Sequence, residues 1–242
     1  MPVPLWMVTD LDETLLNAER TISARSLAAI AALRRKGCSF AIATTRSKIF
    51  ARSYIEQLQP DAMVLSGGAL GYLHGELKHH MPLQTDQVHQ IIAQLERDTE
   101  CTALVLDTSA GRIVGKHWVP VPQDLDVYAI FFWSSSRLAD SMAHRWSHSC
   151  TVTALWEPQM YRIAHQQATK LAALQTLLDQ IPPHQVVTFG DDLMDIPMLA
   201  HYTGVAVANA LPEVLQAASH HTRAHDEDGV AHWIETQLLI SD

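Results

Sequence analysis

The stretch DLDETLLN at Asp10–Asn17 decides how this chain reads, because it follows directly on the apolar run Leu5–Thr9. A short apolar run ending at acids fits a strand buried on both faces of a parallel sheet. Asp10 and Asp12 stand two apart at the strand end, so the pleat directs both carboxylates to one side unless the chain turns sharply between them. Carboxylates that close need a cation. Taken alone, the motif also fits a pair of solvated loop acids, and its placement is what favours a site.

Outward from this stretch, helix and strand patterns alternate. Ser23 is placed to cap a helix through Leu27, Ile30 and Leu33 to the basic turn Arg34–Lys36, with Gly37 as the stop. SFAIA at 39–43 reads as a second strand, Thr44, Thr45 and Arg46 as its exit loop, Lys48–Leu58 as a helix and Ala62–Leu65 as a third strand. Polar residues just beyond such strand ends face the usual ligand crevice of a parallel sheet. Leu70–Lys78 then looks like a hairpin about His74-Gly75. Helical patterns at Val88–Leu95 and Leu138–Trp146 interleave with extended patterns at 103–106, 127–133, 152–155 and 161–164. From Thr169 the crossover pattern resumes, with a helix to Asp179, strands at Val186–Phe189 and Val205–Val207, and helices from about Ile196 and near Pro212 and Val230. The expected fold is α/β, a Rossmann-like parallel sheet core with helices on both faces. Residues 1–77 and 165–242 form that core, and 78–164 form an inserted α+β domain.

The strand at Val186–Phe189 leads into a second acidic group, Gly190, Asp191, Asp192 and Asp195. Asp195 is also placed to cap the helix after it. Hard oxygen ligands from Asp10, Asp191 and a backbone carbonyl suit magnesium, which keeps several waters and bridges to phosphate. Thr44 and Thr45 offer hydroxyls and amides near a helix N-terminus, where an anion is favoured, and Thr44 equally fits a simple cap. Lys170 opens another helix, where a cation opposes the dipole, and this favours a functional role for it.

The bulk properties exclude several classes. A formal charge of −9 over 242 residues opposes nucleic acid and anionic membranes as partners, since both are held largely by Lys and Arg. Cys38, Cys101 and Cys150 are odd in number and lack paired spacing, which points away from zinc or a disulfide framework. The acids at 10 and 12 interrupt the first apolar run, so it reads neither as a signal peptide nor as a membrane span, and a cytoplasmic location is expected.

Taken together, DLDETLLN (10–17), ATTR (43–46), TK (169–170) and GDDLMD (190–195) resemble, in order and spacing, the haloacid dehalogenase superfamily. LSGGAL at 65–70, the large insertion, GVAVANALPEV at 204–214 and EDGVAHWIE resemble its Cof-type branch, subfamily IIB, which includes sugar-phosphate phosphatases. The resemblance implies a magnesium-dependent phosphatase of a small phosphate ester, with the insertion acting as a cap. It makes Asp10 the nucleophile and Asp12 the acid–base. Leu11, Thr44, Thr45 and Lys170 would bind phosphate, Asp10, Asp12 and Asp191 would hold the metal, and Asp195 would support them near Lys170. Arg46, an exposed loop residue by default, becomes a possible substrate contact. Two positions depart from the Cof-type pattern: Thr45 stands where Gly is usual and Met194 where Asn is usual, and Met cannot donate to phosphate. A phosphomannomutase-like mutase and a non-catalytic phospho-ligand sensor stay open as alternatives. Substrate identity and oligomeric state are not legible.

The fourteen histidines show no i, i+4 pairing with an acid of the kind zinc sites use. No metal role is expected for His79-His80 or for His220-His221 with His225, while His165, just before Lys170, stands closer to the motifs. Trp118, Trp133, Trp146 and Trp156 read as packing residues of the insertion.

Overall fold

The structure, a computed structural model, describes residues 5–115, 121, 124–155, 157–179 and 181–238. Contacts divide the chain into two compact units, Met1–His79 with Thr169–Asp242, and His80–Ala168. In chain order come β1 (Trp6–Thr9), α1 (Ala24–Arg35), β2 (Ser39–Ala43), α2 (Lys48–Leu58), β3 (Ala62–Leu65), β4 (Leu70–Leu73) and β5 (Glu76–His80). The second unit contains α3 (Thr85–Arg97), β6 (Ala103–Thr108), β7 (Gly111–Val114), β8 (Val127–Trp133), α4 (Ser136–Trp146), β9 (Cys150–Ala154) and β10 (Met160–His165). The first unit resumes with α5 (Lys170–Leu177), β11 (Val186–Gly190), α6 (Ile196–His201), β12 (Thr203–Ala206), α7 (Pro212–Ala217), β13 (His220–His221) and α8 (Gly229–Trp233).

The first unit is built on a sheet in the order β13-β12-β11-β1-β2-β3-β4-β5. Strand β1 is fully buried and pairs in parallel with both neighbours, Trp6 opposite Val186 on β11 and opposite Ser39 on β2. Cover on both faces of the sheet is why its sequence is apolar at successive positions rather than alternating. On one face Trp6, Val8, Ala41, Ala43 and Val64 pack beneath Leu174 and Leu177 of α5 and Met198 of α6. On the other, Phe189 meets the edge of Trp233 of α8 at 5.4 Å. Helices thus cover both faces. Strand β4 runs antiparallel to β3.

Local signals behave largely as the sequence implies. The Ser23 side chain accepts the Ser26 amide at 2.9 Å and opens α1. Helix α2 starts instead at Ser47, which makes no side-chain cap bond, so Thr44 is not its cap. The second unit is an antiparallel sheet, β7-β6-β8-β10-β9. Val88, Ile91 and Leu95 of α3 and Met142 of α4 cover Leu104, Ile130, Phe132 and Ile163 on one of its faces. Trp146 is buried in that core, Trp133 donates to Glu157 at 2.9 Å, and Trp118 and Trp156 lie outside the described residues. Strands β7 and β13 are additions to the elements expected from the sequence. Among the described residues no helix is long and apolar enough to cross a membrane.

Candidate active site

Three adjacent parallel strands deliver the polar residues to one edge of the first unit's sheet. Asp10 follows β1, Thr44 follows β2 and Asp191 follows β11, at the carboxyl ends where an α/β sheet opens its crevice. The Asp10 amide extends the ladder by donating to the Phe189 carbonyl at 3.1 Å, which fixes where its side chain leaves the sheet. Among the described residues, the group of ligand-bearing side chains close enough to share an ion is Asp10, Asp191 and Asp195, with oxygens within 4.8 Å of one another.

Lys170 sits in the middle of these acids. It is the first residue of α5, follows the N-cap Thr169 and is only 1% exposed. Its Nζ donates to Asp195 Oδ1 at 2.6 Å and lies 3.1 Å from Asp10 Oδ1. Burial by itself disfavours the ammonium, but Asp10 and Asp195 outweigh it and leave the pKa raised. The ammonium stays charged and is committed mainly to Asp195. Asp10 Oδ1 remains buried without an aligned hydrogen-bond partner.

The acids respond to this crowding. Burial pushes the Asp10 carboxyl well above its ordinary range; Lys170 opposes that shift, while Asp195 and Asp191 add to it. Asp191 is pushed up to about 7, first by burial and then by Asp195, with the Thr14 hydroxyl bond pulling the other way. Asp195 is fully occupied, with Oδ1 on Lys170 and Oδ2 on the amides of Asp191 and Asp192 at 3.1 and 3.2 Å. It closes a capping box with Asp192 and makes no side-chain cap to α6. A Cβ on Gly190 would lie 2.5 Å from the Asp195 Cβ, so glycine there is what admits the acid.

The donor set is all oxygen, excess negative and in part unpartnered. These properties fit a hard divalent cation. Asp12 is not part of the cluster, because both its oxygens are taken by Arg46, through Nε at 2.8 Å and Nη2 at 2.6 Å. The same guanidinium reaches the Phe50 carbonyl at 3.3 Å and stacks over Tyr54 at 5.0 Å. Asp12 raises the Arg46 pKa against the effect of burial.

The Thr44 amide is engaged by the Val64 carbonyl at 2.9 Å, and its hydroxyl accepts the Arg46 amide at 3.2 Å, leaving the hydroxyl proton to donate. Leu11 is buried and its amide acts on the Asp10 carboxylate. Thr45 is half-buried in the same loop. His165, by contrast, serves a local turn, accepting the Gln167 amide at 3.2 Å.

Two contributors escaped the sequence reading. Thr14, which orients Asp191, lies inside the opening motif and shares its loop with Asp10. Gly68 has φ +103°, and a Cβ there would fall 2.2 Å from the Thr169 backbone. The glycine pair after β3 was the available signal that another backbone approaches there, and that backbone begins the Lys170 helix.

Comparison with known proteins agrees with this architecture. Putative phosphatase YxeH of Bacillus subtilis is 25% identical over 95% of this chain and 97% of its own. The 5-amino-6-(5-phospho-D-ribitylamino)uracil phosphatase YitU of the same organism is 25% identical over 98% of both. Among solved structures, SMU.1108c from Streptococcus mutans superposes with a TM-score of 0.87 at 20% identity, covering 98% of this chain and all of that one. A subclass IIB sugar phosphatase of the haloacid dehalogenase superfamily superposes at 0.82 and 20%, over 96% and 98% of the two chains. The profile of haloacid dehalogenase-like hydrolases matches residues 7–117 and 114–234. By that match, which spans nearly the whole sequence, the chain belongs to the haloacid dehalogenase-like hydrolase family and is a phosphatase.

Proposed function

We propose that this phosphatase hydrolyses a small phosphate monoester, with a sugar phosphate the favoured class, by passing the phosphoryl group through Asp10 with Mg²⁺ bound beside it. The observation that carries the reading is Asp10 Oδ1, a buried carboxylate oxygen without an aligned hydrogen-bond partner, 3.1 Å from a buried ammonium. The ammonium opposes the upward shift that burial imposes on Asp10, which favours the ionised, nucleophilic form of the carboxyl. The carboxylates of Asp10 and Asp191 would hold the metal. Arg46 occupies the Asp12 carboxylate, so the main-chain carbonyl is what Asp12 has left to offer. The chemistry a bound Mg²⁺ supplies is relief of the repulsion between Asp10 and an anionic ester.

The rest is the work of side chains. Asp10 attacks phosphorus in line and the ester P–O bond breaks. The departing oxygen takes a proton from Asp12, which requires one of the two Arg46 bonds to give way. Water then attacks the aspartyl-phosphate and yields its proton to Asp12, releasing phosphate and restoring Asp10. Lys170, the Thr44 hydroxyl and the amides of Leu11 and Thr45 hold the transferring oxygens. The preference for sugar phosphates draws support from the relatives, one acting on a phosphorylated ribityl compound and a fold neighbour on sugar phosphates.

The test is a magnesium-dependent phosphate-release panel of sugar phosphates, nucleotides, pyridoxal phosphate and phosphoglycerates, run with Asp10→Asn alongside. Phosphate release that Asp10→Asn abolishes, with the circular dichroism spectrum unchanged, is the expected outcome. Undiminished turnover by Asp10→Asn removes the nucleophile, and isomerised product without phosphate makes the protein a mutase.

A further inference from the structure

The loop that carries Asp12 takes a conformation its sequence does not favour. Glu13 lies in the left-handed region at φ 54°, where a Cβ crowds the neighbouring carbonyl and residues other than glycine, asparagine and aspartate are uncommon. Strain of this kind persists only where the surroundings over-determine it. Part of the hold is local, since the Leu11 carbonyl accepts the amides of Thr14, Leu15 and Leu16 at 3.4, 3.1 and 2.8 Å.

Arg46 holds the Asp12 carboxylate itself, and a further hold on the backbone comes from about two hundred residues away in sequence. Asn209 donates from Nδ2 to the Glu13 carbonyl at 2.8 Å, and its Oδ1 accepts the His225 amide at 2.9 Å. The His225 ring reaches back to the same loop, with Nδ1 2.7 Å from the Leu16 carbonyl and Nε2 3.1 Å from the Glu13 carboxylate. The His225 side chain is about one-tenth exposed while the Glu13 carboxylate is largely exposed, so the sheltered half of this grip is the ring's contact with the Leu16 carbonyl. Asn209 and His225 therefore hold the strained residue by its carbonyl and side chain and the loop by its Leu16 end, and neither is part of the acid cluster.

We propose that Asn209 and His225 are positioning residues for Asp12, latching the 11–16 loop in the turn that aims the Asp12 carboxyl at the leaving oxygen. The proposal rests on the reading of Asp12 as the acid–base. A latch of this kind affects protonation of the leaving group more than attack by Asp10, whose place is fixed by the sheet.

Phenyl phosphate and p-nitrophenyl phosphate separate the two effects, because they are similar in shape and the nitrophenolate departs with little help from an acid. The kcat/KM of each is measured for the native protein, Asn209→Ala, His225→Ala, Asp12→Asn, Glu13→Gly and the Glu13→Gly/Asn209→Ala pair, with thermal denaturation of all. Asn209→Ala is expected to lose roughly tenfold or more on phenyl phosphate and less than about threefold on the nitrophenyl ester. His225→Ala follows in the same direction and serves if Asn209→Ala does not fold. Glycine adopts the left-handed turn without strain, so in the Glu13→Gly background the Asn209→Ala loss on phenyl phosphate shrinks below about threefold, a coupling that a double-mutant cycle reads directly. Equal loss on both esters, full loss in the Glu13→Gly background, or an inactive Glu13→Gly protein each overturns the latch. Undiminished phenyl phosphate turnover by Asp12→Asn instead removes the acid–base reading, independently of what Asn209→Ala does.

Discussion

Replacing Asp191 by Asn is expected to make the metal-free protein more stable while disabling it. The Asp191 carboxyl is pushed from its ordinary 3.8 up to about 7, by burial and by Asp195. At roughly 1.4 kcal/mol per tenfold change in proton affinity, holding this group ionised in the folded state costs about 4 kcal/mol. The pH window follows from the two values. In the unfolded chain the acid ionises near pH 4, whereas in the folded chain it ionises near 7, so native stability falls as pH rises through that interval and levels off above it. Asparagine keeps an oxygen for the Thr14 hydroxyl and never ionises. Its advantage should therefore be near zero at pH 4 and reach a plateau of up to about 4 kcal/mol above pH 7. Urea denaturation in a chelator across pH 4–9 measures it. Saturating magnesium should then stabilise the native protein and leave Asp191→Asn unchanged, since only the former has its ligand. A variant that is less stable at pH 8, or whose gain does not vary with pH, refutes the claim that the site is a metal-free strain of crowded acids.

Lys170→Met leaves Asp10 and Asp195 facing each other without their cation, and breaking a buried pair this way costs about 3–5 kcal/mol. The loss should be larger at pH 8 than at pH 5, where the acids can take up protons, as urea denaturation at both values would show. Gly68→Ala drives a Cβ into the Thr169 backbone at φ +103°; destabilisation above about 3 kcal/mol with a fall in kcat is expected, and a wild-type melting curve would contradict it. Arg46→Lys keeps the charge but loses the two-pronged grip that must open before Asp12 can act on the leaving oxygen, so kcat/KM for phenyl phosphate should not fall, and a tenfold loss at unchanged melting temperature would contradict that step.

What could be read from the sequence is what local physics decides. The strands Ser39–Ala43 and Ala62–Leu65 stand where their apolar runs put them, because continuous burial leaves no other reading, and the helix Lys48–Leu58 between them stops before the breaker Pro60. Gly111–Val114 and His220–His221 were invisible for the opposite reason. The former is four residues carrying an exposed Val114, and the latter two exposed histidines, so each is a strand only because a neighbour pairs with it. The site divides in the same way. Acids at strand ends announced themselves, and the dipole argument singled out Lys170. The bidentate hold of Arg46 on Asp12, the Thr14 bond to Asp191, the Asn209 bond to Glu13 and the His225 contact with Leu16 span 34 to 209 residues of chain, and no periodicity encodes a side-chain meeting of that range. Arg46 is the instructive case: its motif placement suggested a possible substrate contact, and the structure adds a bidentate hold on Asp12 that no pattern foretold.

The placement of β1 between β2 and β11 has a consequence for how the molecule is made. Trp6 pairs with Val186, so on the ribosome the nucleophile's strand keeps one edge open while some 180 residues are added, roughly 10–40 s at about 5–20 residues per second. The unit His80–Ala168 is continuous in sequence and can close within that interval, while the N-terminal strands wait. Asp10 meets neither Asp191 nor Lys170 until most of the chain has emerged. A nascent chain is thus an unarmed one, and the open edge of β1 over that interval is where crowding, truncation or a stalled ribosome would do most harm.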